Sequence, residues 1–374
     1  MAFLKRDAGR PRSRADVLER PDYGWIWKPL LALAGIYLVV VLALGVWWSR
    51  APAPFDVERA TAAQRGAVAE SGGQAATSPA ARGAVTVATL MTTLDTLLDK
   101  PGGFLRNDVA PPGVWLDNMP AWEYGVLGQL RELAGALPPL ADGEAASLQA
   151  AHAALMHDSR DWALPGTEEQ LAAARAALGE HLAGLGADEG AFTAAGDGLA
   201  HWLDGVTGRL DALAQRLSAS AGSREAVRLG VDVEALPEPT PWHRVDDIFF
   251  EARGSGWALI HLLEGVRRDH ADVIAAAGAT ERWDRLLVVL ERTQRRLWSP
   301  VVLNGSGFGV FANHSLVMAN YLLHARDLTG TLAGALEGQS VEASDAETTV
   351  APEASPAPAT NDDGPSEDGP SGEA

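Results

Sequence analysis

The chain has 374 residues, 47% of them hydrophobic, with no cysteine and a formal net charge of −19. A cysteine-free chain carries no disulfide framework, no thiolate metal site and no thiol nucleophile. Nine of the acidic charges fall in residues 339–374. The remainder is only mildly acidic, which argues against a basic face for nucleic acid. Lysine occurs only at 5, 28 and 100, and with abundant Ala and Gly the preference for Arg reads as coding bias.

Residues 1–24 are a basic segment. An uncharged run, PLLALAGIYLVVVLALGVWWS, follows from Pro29 to Ser49. At 1.5 Å per residue it is long enough to cross a hydrocarbon layer of about 30 Å. Trp25 and Trp27 flank one end and Trp47 and Trp48 the other, as interfacial aromatic belts do. We assign 25–49 as a single transmembrane helix that meets the lipid bilayer. It is apolar on all sides, unlike an amphipathic core helix, and contains no GxxxG. Lys5, Arg6, Arg10, Arg12, Arg14, Arg20 and Lys28 precede it, whereas only Arg50, Arg59 and Arg65 follow closely. That bias places the N-terminus in the cytoplasm and the rest outside. The alternative is a cleaved signal peptide, but the apolar run and charged lead are long for one.

Residues 50–83 are rich in Ala, Pro, Gly and Ser and read as a flexible linker lifting the next domain off the membrane. Residues 339–374 hold five prolines and no basic residue and read as a disordered acidic tail.

Between them, 84–338 reads as helix almost throughout, with a sub-boundary at the Pro-rich break 236–242. Val87, Leu90, Met91, Leu94, Leu97 and Leu98 share helical spacing, and the KPGG at 100–103 stops that helix. Pro120 suits the first turn of a helix to about Leu137, and another covers 143–157. Thr167 and Gln170 have capping-box spacing for the next. A long helix over about 190–220 carries Phe192, Leu199, Trp202, Val206, Leu210, Leu213 and Leu217. The last two suggest an antiparallel hairpin, 167–220. Asp246 or Asp247 is expected to cap a helix through Val266, and Thr280 another to about Leu297. The final helix runs from about Asn313 to Leu332. The fold class is therefore all-α, a multi-helix bundle with a long hairpin, placed by the charge bias in the periplasm.

Three stretches hold chemistry-bearing side chains. GVWLDNMPAWEYG (113–125) combines Trp115, Asp117, Asn118, Trp122 and Glu123. Trp beside carboxylates is how glycan sites are often furnished, but Asn118 and Pro120 also suit a turn and helix start, and the Trp residues suit a core. DDIFFEARGSGW (246–257) places Asp246, Asp247, Glu251 and Arg253 within two turns. This is an acid–base or cation site, or else a cap plus ion pairs with Arg244 or Arg253. NGSGFGVFANHSLVMANY (304–321) contains Asn304, Ser306, Asn313, His314 and Asn320. No strand precedes its glycines and no Gly-Lys-Ser/Thr closes it. A glycine-rich helix entry capped by Asn313 is favoured over a ligand pocket. HExxH, paired Glu-x-x-His and the Gly-x-Ser-x-Gly elbow are absent, so no metal and no cofactor is expected.

The strings LLDKPGGFLRNDVAPPGVWLDNMPAWEYGVL (97–127), VDDIFFEARGSGWALIHLL (245–263) and SPVVLNGSGFGVFANHSLVMANY (299–321) resemble the bacterial domain of unknown function 2333 family. The likeness spans roughly 25–335, including the anchor and RLSAS (216–220). It implies a Gram-negative inner-membrane setting and supplies no catalytic residues. The expected function is a non-enzymatic envelope interaction or scaffold module, meeting a partner protein through the hairpin 167–220. The alternative is peptidoglycan or glycan binding or hydrolysis through Trp115, Asp117, Glu123, Asp247 and Glu251.

Overall fold

The computed structural model describes residues 24–71, 81–141, 145–185, 191–221, 237–238, 240–296, 302 and 314–340. No strand forms among them. In chain order the helices are α1 (Gly24–Trp48), α2 (Val57–Glu70), α3 (Ala84–Asp99), α4 (Asn118–Ala136), α5 (Ala146–Leu155), α6 (Thr167–Gly184), α7 (Asp197–Ala221), α8 (Val245–Asp269), α9 (Ala271–Ala276), α10 (Thr280–Thr293) and α11 (His314–Leu336). The all-α assignment holds.

Helix α1 is long and apolar enough to cross a membrane, and almost none of it is buried. Its last turn is the exception. Trp48 packs against the core, and its ring would lie 2.7 Å from a Cβ on Gly102. Gly102 has φ +90°, a conformation that suits glycine, so the KPGG stop also receives the end of α1.

The expectation of a flexible linker over 50–83 is corrected for its described part; residues 72–80 lie outside the described residues. Residues 57–70 form α2, N-capped by Asp56, whose Oδ1 accepts the Arg59 N–H at 2.8 Å. This helix lies on α3. Its buried face is Val57, Thr61, Gln64 and Val68, a stripe with too little apolar area to announce itself. Asp95 of α3 accepts from Gln64 of α2 at 2.7 Å and from Arg175 of α6 at 2.6 Å. Phe55 stacks on His261 of α8, centroids 4.0 Å apart. The domain is fastened to the segment that follows α1, not lifted away on a tether.

Helix α8 is the hub, touching α4, α3, α10, α7 and α11. Its crossing with α4 is unusually close. A Cβ on Gly125 would fall 2.0 Å from the Glu251 carbonyl oxygen, and one on Gly254 would fall 2.0 Å from that of Trp122. Ser255 Oγ donates to the Gly125 carbonyl at 3.2 Å. The last residue of α8, Asp269, accepts the Thr86 N–H and hydroxyl, both at 2.7 Å, at the start of α3, where an acid complements the helix dipole.

The hairpin 167–220 does not form. Helix α6 packs on α5 and α3, whereas α7 packs along α11, joined by Arg326–Asp211 at 2.7 Å and Thr207–Thr329 at 2.8 Å. Phe192 lies before α7, not within it, and its buried ring stacks near His181 and His270. Three capping expectations also change. Gly166, Arg244 and Ala279 are the N-cap residues of α6, α8 and α10. The Thr167 hydroxyl instead donates to the Asp158 and Asp161 carbonyls. Gln339 and Ser340, assigned to the tail, contact Gly196 and Ala195; residues 341–374 lie outside the described residues.

Two buried histidines make the fold acid-sensitive. His261 Nε2 accepts the Phe55 N–H at 3.0 Å, so the ring is neutral and donates from Nδ1 to the Trp257 carbonyl at 2.7 Å. Burial lowers His261 to about 4. Burial, and then Arg82, lowers His270 to about 4. Both are near 6.5 unfolded, so the unfolded chain binds the protons. Stability is complete above about pH 6.5, falls with pH, and levels off below about 4, by on the order of 3 kcal/mol per ring. Glu123 and Asp269, held high by burial, offset part of this at the acid end. In His261→Gln, the slope of unfolding free energy against pH between about 6 and 4.5 should flatten by roughly 1.4 kcal/mol per unit. An unchanged slope would exclude His261 as a contributor.

Candidate functional site

The α4–α8 crossing makes one wall of an open cleft of about 490 Å³. Asp117, Pro120, Ala121 and Tyr124 line it from α4 and its N-cap, and Arg244, Asp247 and Glu251 from α8 and its N-cap. Both sets follow the three- and four-residue steps of one helical face. Arg106 and Asp108 come from the loop after α3, Arg160 from the loop after α5, and Arg216 from α7.

Most of these charges are engaged. Glu251 receives both guanidinium branches of Arg216, at 2.6 and 2.9 Å, the strong bidentate form of the pair. Asp247 pairs with Arg244 at 3.5 Å. The Asp247 carboxyl is pushed up by burial, then by the charges of Asp117 and Asp246, against the pull of Arg244. Arg106 lies over the Tyr124 ring at 4.0 Å and donates to Ser159 Oγ at 2.9 Å. Burial lowers its pKa, and Arg160 lowers it further. Burial also raises Asp108, assisted by Glu168.

Of the expected glycan set, then, Asp117, Asp247 and Glu251 meet in one cleft. Glu123 does not join them. One residue on from Glu123 is roughly 100° of helix rotation, so Tyr124 faces the cleft while Glu123 is fully buried. Glu123 pairs with Lys100 at 2.5 Å and accepts the Leu105 N–H at 2.9 Å. Burial raises its pKa, opposed by Lys100. Trp122 is core, 5.2 Å from Trp257, and Trp115 is exposed. Asn118 opens α4, its N–H donating to Asp117 at 2.8 Å.

The remaining candidates are dispersed. Asp246 is half-buried in the first turn of α8. Arg253 donates to the Arg295 carbonyl at 2.8 Å and braces the end of α10. His314 is half-buried, 6.1 Å from the Phe249 ring, and burial lowers its pKa. Asn320 is exposed on α11. Asn304, Ser306 and Asn313 lie outside the described residues. No group of three or more His, Asp or Glu that could hold a metal occurs among the described residues.

Sequence reasoning missed Arg106, Arg160, Arg216 and Lys100. The first three converge from segments 50 or more residues apart, with no local signal. Lys100 did leave one: it is the only lysine after residue 28 in an Arg-rich chain.

No curated protein and no solved structure matches the chain. A family model matches residues 21–331, across α1, the α4–α8 crossing and the cleft, and the chain belongs to that bacterial family, described as "Uncharacterized protein conserved in bacteria (DUF2333)".

Proposed function

We propose that this is a single-pass inner-membrane protein whose helical domain, on the periplasmic side, binds a polar partner in the α4–α8 cleft without performing chemistry on it. The carrying observation is the engagement of Glu251 and Asp247 by Arg216 and Arg244. Alternating guanidinium and carboxylate groups suit recognition of a charged protein surface. A general acid or base needs a carboxylate free to exchange its proton with substrate. The domain acts as an envelope interaction module, and the cleft replaces the hairpin 167–220 as its contact surface.

One observation favours a second reading. Asp117 and Asp247 lie close enough for one charge to raise the other's pKa, and Trp115 is exposed two residues away. That arrangement suits glycan hydrolysis.

A photo-crosslinking residue replacing Tyr124 in intact cells tests both. The expected result is a discrete protein adduct, lost when Arg216 and Arg244 become Ala, while a cytoplasm-only fluorescent reporter after Ala374 stays dark. Release of soluble fragments from isolated peptidoglycan, abolished by Asp247→Asn, would replace the first reading with the second. A bright reporter would overturn the topology.

A further inference from the structure

We infer that the loop 108–116 seats the domain on the bilayer surface, inserting Val109, Val114 and Trp115 among the lipid headgroups beside the exit of α1. This rests on the reading of α1 as a membrane span, and extends the contact with lipid to a part of the domain distant from it in sequence.

Three observations carry the inference. The first is position. A Cβ on Gly45, inside α1, would lie 3.7 Å from Pro112 and 3.9 Å from Leu116. Helix α1 has 25 residues, about 37 Å at 1.5 Å each, which exceeds a hydrocarbon core of about 30 Å. The uncharged run ends at Ser49, before Arg50, with Trp47 and Trp48 beside it, so the last turn of α1 borders the headgroup layer, and the loop touching Gly45 lies at that end.

The second is chemistry. Val109, Val114 and Trp115 are 63%, 50% and 59% exposed. Such a patch on a soluble surface marks an interaction site. Trp47, on the neighbouring turn of α1, is 52% exposed. Tryptophan is a side chain that headgroup layers favour.

The third is rigidity. The loop is held by its own backbone: Val114 donates to Ala110 at 3.1 Å, Trp115 to Pro112 at 3.0 Å and Leu116 to Gly113 at 2.9 Å. Gly113 lies so close over the Asp108 carboxylate that a Cβ would fall 1.8 Å from its oxygen. A braced turn holds its apolar side chains outward at little further entropic cost on insertion.

The absence of cysteine permits a clean test on the full chain. Single variants Val109→Cys, Trp115→Cys, Leu38→Cys in α1 and Val288→Cys in α10 are labelled with a polarity-sensitive fluorophore and reconstituted in phospholipid nanodiscs. Lipids spin-labelled near the headgroup serve as quenchers. Labels at 109 and 115 should emit blue-shifted light and be quenched several-fold more than the label at 288. Quenching at 109 and 115 equal to that at 288, with position 38 in lipid by deep-chain quenchers, overturns the docking alone. A label at 38 that no lipid quencher reaches removes the span reading as well. Blue-shifted emission at 109 and 115 without lipid quenching means that protein covers the patch, and also overturns the proposal.

Discussion

Replacing Lys100 by Met is expected to destabilise the domain by about 3–5 kcal/mol, the usual cost of removing one partner from a buried ion pair. Both side chains are almost wholly inaccessible, 1% for Lys100 and 0% for Glu123. Without the ammonium, Glu123 keeps only backbone N–H partners, those of Leu105 and Arg106, and must stay ionised in an apolar surround or take up a proton. The loss should therefore be largest near pH 7 and shrink as the solution is acidified, because protonation relieves the unpaired charge. Adding Glu123→Gln should restore part of the stability, since the amide still accepts from Leu105. Chemical denaturation of the two single variants and the double variant measures the coupling. Additive losses would show that the two groups are not energetically paired. A Glu123 that served substrate instead would lose function on substitution without this coupling.

Gly254→Ala is the second large effect. In an isolated helix the change would be favourable by up to about 1 kcal/mol. Here the added carbon meets the Trp122 backbone, which cannot rotate away as a side chain can. Overpacking typically costs about 1–3 kcal/mol, and with backbone on both sides of the contact the upper end is expected. Helices α4 and α8 must separate, carrying Tyr124 away from Glu251 and widening the cleft. Gly66→Ala on α2 is the matched control. Nothing lies within 4 Å of its Cβ position, so there the propensity gain should appear unopposed. Melting temperatures should move in opposite directions, down for Gly254→Ala and up for Gly66→Ala. A shared sign would mean that the close crossing does not limit stability.

Helices with a large apolar stripe were legible in the sequence, and α3 is the clearest. Its Val87, Leu90, Met91, Leu94 and Leu97 are all buried, and it ends where KPGG begins. Helix α2 was illegible because Thr61 and Gln64 make half of its buried face. Helix pairing was harder than helix existence. Adjacency suggested that α6 and α7 pair, but Phe192 draws the connecting chain to Arg82, whose carbonyl accepts its N–H at 3.0 Å. Helix α7 is thereby delivered to α11. The site was half legible. Asp117, Asp247 and Glu251 lie on helical faces that periodicity can place. Arg216 reaches the cleft only through tertiary packing, which no local spacing encodes. Glu123 shows the limit of motif reading, since a one-residue step separates a cleft wall from the core.

The close crossing of α4 with α8 also bears on how the chain is made. Ser255 and Gly125 are 130 residues apart, and Asp269 and Thr86 are 183 apart. Contacts of such separation form late, after the intervening chain exists. While a ribosome is still translating residues before Val245, α3 has no acid at its N-terminus and the Gly125 groove of α4 is empty. A message truncated anywhere upstream of that point would yield a polypeptide with its central helix missing and its apolar faces uncovered. Completion of α8 is therefore the step at which the apolar faces of the helices made before it are closed off from water.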